Sequence, residues 1–187
     1  MPLSAPAPRQ LHHLRDIALR GYLRDDGLVD IEAHLTDTKT YGFPSEHRGQ
    51  VNPGEALHGM WVRMTINTDM MITECEAVTD YSPFDICPGA TPNFRKLAGL
   101  SIGPGFNRAV NEVVGGVQGC THLREVLAQM ATVAFQTMWP IRHRRQQEQR
   151  TAEEGGAPRR RPALLGTCHA YAPNSSVVRR KWPEWSE

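Results

Sequence analysis

No stretch of this chain is apolar for long enough to span a bilayer. Pro2, Pro6 and Pro8 stand where a secretory leader would need a charged start and an apolar core, so a cytoplasmic, membrane-free protein is the expectation. A charge imbalance is also missing: 21 Lys and Arg face 20 Asp and Glu, for a net charge of +1, which gives no general attraction to nucleic acid or to an anionic surface. Aromatic residues are sparse at 7%, and none interleaves with the local basic runs Arg142–Arg145 and Arg159–Arg161 to make a base-stacking platform. Nucleic-acid binding is therefore not expected. Four cysteines, widely and unevenly spaced, contain no C-x-x-C pair, and the histidines form no H-x-x-x-H pair. This excludes a ligand pair fixed by local geometry and gives no disulfide framework, leaving free thiols or dispersed metal ligands.

What is present centres on Gly115-Gly116-Val117-Gln118-Gly119-Cys120-Thr121-His122-Leu123. Beyond it, Leu123, Val126, Leu127, Met130, Val133 and Ala134 recur at helical spacing and predict an amphipathic helix to about Trp139. Cys120 then sits among unpaired backbone N–H groups at a helix start, which favour thiolate, with the His122 imidazole two residues on. The glycines are expected to let this loop approach a bound ion closely.

Residues 1–13 read as a loose arm, with His12 and His13 solvent-exposed. Asp25-Asp26-Gly27 predicts a hairpin turn between a strand ending near Leu23 and one in which Val29, Ile31, Ala33 and Leu35 alternate with Asp30, Glu32 and a solvent-facing His34. Asp37 to Gly54 lacks a period and reads as a loop. Met60, Val62, Met64 and Ile66 define a third strand with His58 at its start, and 71–78 a fourth in which Cys75 faces the core. Cys87 falls on a loop before a helix capped by Thr91-Pro92, and a further short helix covers Phe106 to Val114. Strands followed by a block of helices predict an α+β fold, a mainly antiparallel sheet with helices on one face. The core domain is placed at 14–141, a charged linker at 142–162, and a segment returning to the core, in part extended, at 163–187.

His58, Cys87 and Cys120 all lie at ends of elements, where side chains from distant parts of a chain converge, and His122, Cys168 or His169 can complete a set of four. Those residue types suit zinc, iron or an iron–sulfur cluster.

The run Gly54-Glu55-Ala56-Leu57-His58-Gly59-Met60, the hairpin Val62 to Ala77, Cys87, and Cys120 opening a long helix resemble the iron–sulfur scaffolds of NifU and IscU type over residues 54–138. The resemblance implies a SufE/NifU-like fold in which His58, Cys87 and Cys120 take the three ligand places, and Met60 stands where that family has an aspartate. It also implies a metal or sulfur donor or acceptor protein as partner. Tyr22–Gly27, Asp37-Thr38-Lys39, Gly119–Leu123 and Cys168-His169-Ala170 resemble, more closely, an uncharacterised bacterial family known as a domain of unknown function.

The leading reading is a metal-binding protein. The alternatives are a cysteine-dependent enzyme or sulfur carrier, with Cys120 as nucleophile and His122 or His58 as base, and a partner-binding module whose cysteines are structural.

Overall fold

Alternation along the first hairpin becomes a long antiparallel pair, β1 (His13–Leu23) and β2 (Val29–Lys39), in which Ile17 faces Leu35 and Leu19 faces Ala33. The computed structural model describes residues 3–152 and 161–187. Between β1 and β2, Gly27 takes φ 81° and Asp26 accepts a hydrogen bond from the Leu28 amide while pairing with Arg24, so the Asp-Gly pair is turn chemistry.

Two more strands complete the sheet, β5 (Ala56–Ile66) and β6 (Ile72–Tyr81), in the order β1-β2-β5-β6 and antiparallel throughout. The segment expected to be a loop holds the last residues of β2 and a small separate hairpin, β3 (Phe43–Ser45) with β4 (Gly49–Val51). Short strands with Pro44 inside one of them give too little alternation to read from sequence. At the β5–β6 turn the Asn67 side chain accepts from the amides of Asp69 and Met71, which fixes the hairpin.

Helices cover one face. Helix α1 (Phe106–Val114) and the first turns of α2 (Thr121–Ala152) place Phe106, Val110 and Val114, then Leu123, Val126, Leu127, Met130, Ala134 and Met138, in one core with the inward residues of β2, β5 and β6. Each of the larger aliphatic and aromatic side chains among them, fully buried, contributes about 1.5–3 kcal/mol. Cys75 lies in that core, 4% exposed. The α+β arrangement is as expected from the order of elements.

Local differences have identifiable causes. The helix after β6 is a 3₁₀ segment, Cys87–Leu97, with prolines at 88 and 92 that withhold the amides a longer α-helix needs; Thr91 bonds the Pro88 carbonyl instead of capping. Cys87 is its first residue rather than a loop residue. Helix α2 runs through Pro140 to Ala152, into the span expected as linker, whose residues 153–160 lie outside those described. His13, the last residue of the expected arm, opens β1.

The chain divides into two compact units, 1–145 and 146–187. In the second, the expected extended segment is instead a 3₁₀ turn, His169–Tyr171, and a short helix, α3 (Ser176–Lys181), capped by Ser175. Tyr171 and Trp182 rings meet at 5.3 Å, and Val178 is fully buried.

Candidate metal centre

Three neighbouring strands carry their core-facing stripe past its last apolar residue into polar side chains at the same end of the sheet. On β1, His13 and Arg15 share parity with Ile17 and Leu19; on β2, Asp37 continues Val29, Ile31, Ala33 and Leu35; on β5, His58 precedes Met60 and Val62. Register brings them into one row, with Arg15 opposite Asp37 and Asp37 opposite His58. A shift in register follows at once, between Asp37 and Thr38, and ends the regular pairing beside the cluster.

Asp37 is the hub. Its Oδ1 accepts from Arg15 Nε at 2.8 Å and lies 2.8 Å from His13 Nε2, while Oδ2 accepts from Arg15 Nη2 at 2.7 Å and lies 2.9 Å from His58 Nδ1. Four partners occupy the four lone-pair directions of the carboxylate. Burial alone raises its pKa, but the hydrogen bonds from Arg15 and His13, with the Arg15 charge, hold it well below the usual carboxylate range. An ionised Asp37 accepts, so His58 carries its proton on Nδ1 and keeps the Nε2 lone pair available.

The start of α2 supplies the opposite wall. Gly119 lies so close to α1 that a Cβ there would collide with the Val114 carbonyl oxygen, and Gly115 is held as tightly against Asn111. These two glycines serve the packing of one helix end on the next. The Cys120 carbonyl accepts from the Arg124 amide at 2.9 Å as the helix begins. From here His122 reaches the sheet, its ring centroid 4.0 Å from that of His58. Cys120 Sγ lies 3.8 Å from His122 Nδ1 and 4.0 Å from Met60 Sδ. Arg15 also reaches Glu125 on α2, at 3.5 Å.

Both histidines have lowered pKa values. For His58 burial is the main cause, followed by the neighbouring His122, against the attraction of Asp37; for His122 it is burial, followed by the Arg15 charge. Two imidazoles kept neutral side by side are the protonation state a metal requires. One donor atom each from Asp37, His58 and His122 fall within 4.8 Å of one another.

Of the residues singled out from sequence, His58 and His122 come together, with Cys120 against His122. Cys87 is half-buried at the head of the 3₁₀ segment and is not in this group. Cys168 and His169 are exposed in the second unit. Sequence reasoning missed Asp37, Arg15 and His13. The signal was parity: an ionisable residue two places beyond Leu35, on the buried face, is out of place unless partnered.

Comparison with known proteins adds a family. No curated protein matches the chain, and no solved structure matches it, so neither comparison returns an iron–sulfur scaffold of NifU or IscU type. Among the described residues no helix is long and apolar enough to cross a membrane. A family model matches residues 13–136, from the first residue of β1 into α2, a span that holds the whole Asp37, His58, Cys120 and His122 group and stops short of Cys168. The chain belongs to the family described as protein of unknown function, DUF2889.

Proposed function

We propose that this protein binds one transition-metal ion through His58 and His122, with Asp37 orienting His58 from behind. The observation that carries the reading is the convergence of a carboxylate and two imidazoles within 4.8 Å, at a place where burial keeps both rings neutral. Because Arg15 and His13 already fill Asp37 together with His58, the carboxylate serves as the outer partner of a carboxylate–histidine–metal arrangement, fixing the ring so that Nε2 faces the ion. Zinc or ferrous iron suits two imidazoles with oxygen or a single sulfur to complete the shell. An iron–sulfur cluster would ask for mostly thiolates, and the donors gathered here include one, Cys120. Binding and transfer to or from a metal-handling partner protein is the activity preferred, with Cys120 as the soft donor at the rim.

Elemental analysis of the purified protein tests this, comparing the parent with His58→Ala and His122→Ala. About one ion per chain, lost in both folded variants, is expected; unchanged metal content in both would remove the reading.

A second reading rests on the 3.8 Å separation of Cys120 Sγ and His122 Nδ1: a thiol activated by its neighbouring imidazole at a helix start, for nucleophilic or sulfur-carrying chemistry. Metal-free protein whose Cys120 alone reacts rapidly with iodoacetamide, and slows in His122→Ala, would favour it.

A further inference from the structure

Resting on the metal reading above, we infer that the same centre selects monovalent copper, held by the Cys120 thiolate, the Met60 thioether and His122 Nδ1. Met60 is 1% exposed and sits two places after His58 on the inward face of β5, so the strand that presents the imidazole also presents a sulfur to the same end of the core. Its Sδ lies 4.0 Å from Cys120 Sγ, which in turn lies 3.8 Å from His122 Nδ1. An ion shared between ligands at usual metal–sulfur and metal–nitrogen lengths would set sulfur–sulfur and sulfur–nitrogen separations of about 3.8 and 3.6 Å in tetrahedral geometry, and slightly more in trigonal. The two gaps in the protein exceed the tetrahedral values by only about 0.2 Å.

Softness decides which ion. A thiolate beside a thioether is the donor pair that singles out Cu(I), whereas zinc and ferrous iron gain little from a thioether. The divalent mode uses His58 with His122, and the copper mode uses Met60 and Cys120 with His122, so one imidazole serves both. On loading, the Cys120 thiol releases its proton to solvent as the copper–sulfur bond forms. Copper enters and stays as Cu(I), and no electron is transferred. Met60 is otherwise a core side chain, for which leucine is a volume-conserving replacement.

The test is anaerobic competition of the full chain against a chromogenic Cu(I) chelator, beside a titration with Co(II) as the divalent probe, for the parent and for Met60→Leu. The parent is expected to withdraw about one Cu(I) from the chelator; Met60→Leu should bind Cu(I) about tenfold or more weakly while keeping Co(II) affinity, a loss in the range that altered metal surroundings produce. A Cys120→Ser variant should lose Cu(I) retention. If Co(II) binds but Met60→Leu holds Cu(I) as tightly as the parent, the copper assignment is wrong and the two-histidine site stands. If neither ion binds to folded parent protein, both readings fail.

Discussion

Asp37 and His58 are direct cross-strand partners on β2 and β5, and the Asp37 carboxylate Oδ2 lies 2.9 Å from His58 Nδ1, buried where the apolar stripe gives way to polar side chains. Arg15 occupies the matching place on β1 and forks the same carboxylate. A buried charge of this kind persists only when fully partnered, and here the partnering also aims an imidazole at the end of a helix.

Removing the carboxylate therefore has two effects. Asp37→Ala leaves the Arg15 charge and the His58 N–H without their acceptor, and because Arg15 is about a third exposed the expected cost is about 2–3 kcal/mol rather than the full loss of a buried pair. Asp37→Asn keeps the shape and loses less stability, but frees His58 to rotate. Denaturant unfolding measures the first effect, and zinc affinity, expected to fall about tenfold or more in Asp37→Asn, measures the second.

Acid should act in two stages, with the sign set by the direction of the shifts. His58 and His122 are depressed in the folded state, so the unfolded chain binds protons first, and stability falls as pH drops below about 6.5, the ordinary histidine value. Asp37 is also depressed, so its contribution is present above about 3.9, the ordinary aspartate value, and is lost as pH falls further. Metal-free His122→Gln should flatten the upper stage and Asp37→Asn the lower. Melting temperature recorded from pH 8 to 3 checks both slopes.

Thiol reactivity should follow burial. The Cys75 thiol is pushed up to about 12, chiefly by burial and then by Glu76, and is 4% exposed. It is expected to stay unmodified by a disulfide reagent at pH 8 until the protein unfolds, while exposed Cys168 reacts at once. Mass spectrometry of digests after timed labelling gives the order directly; early modification of Cys75 would contradict its place in the core.

Gly119 couples fold to site. An alanine there must move the Val114 carbonyl oxygen, which is main chain and has little room to yield, so Gly119→Ala is expected to cost about 1–3 kcal/mol, as overpacking does, and to displace Cys120 and His122 together. Gly116→Ala, three residues earlier in open space but at φ 56°, should lose stability through backbone strain alone. Comparing metal affinity in the two variants separates a general loss of stability from movement of the ligands.

The sheet and the two main α-helices were legible because one physical rule governs them: Val29 to Leu35 and Met60 to Ile66 alternate, Leu123 to Ala134 recur at helical spacing, and Asp25-Asp26-Gly27 turns the chain. The site was legible in part. His58, Cys120 and His122 stand at ends of elements, but which ends meet depends on strand register and on how α2 crosses the sheet, and neither is written locally. Asp37 is hidden because the apolar alternation of its strand ends at Leu35, while the stripe continues with a charged residue whose partners, His13 and Arg15, lie 24 and 22 residues away. Order along the chain places Cys87 beside the other ligand candidates, but order carries no distance.

The measurement that tests the central claim most directly is calorimetric titration of metal-free protein with Zn(II), run on the parent, on His58→Asn with His122→Asn, and on Cys87→Ser with Cys168→Ser. The account predicts about one site per chain in the parent, kept when the two cysteines are replaced and abolished when the two histidines are, with circular dichroism unchanged in all three. Zinc binding that survives loss of both histidines and disappears with the two cysteines would contradict it.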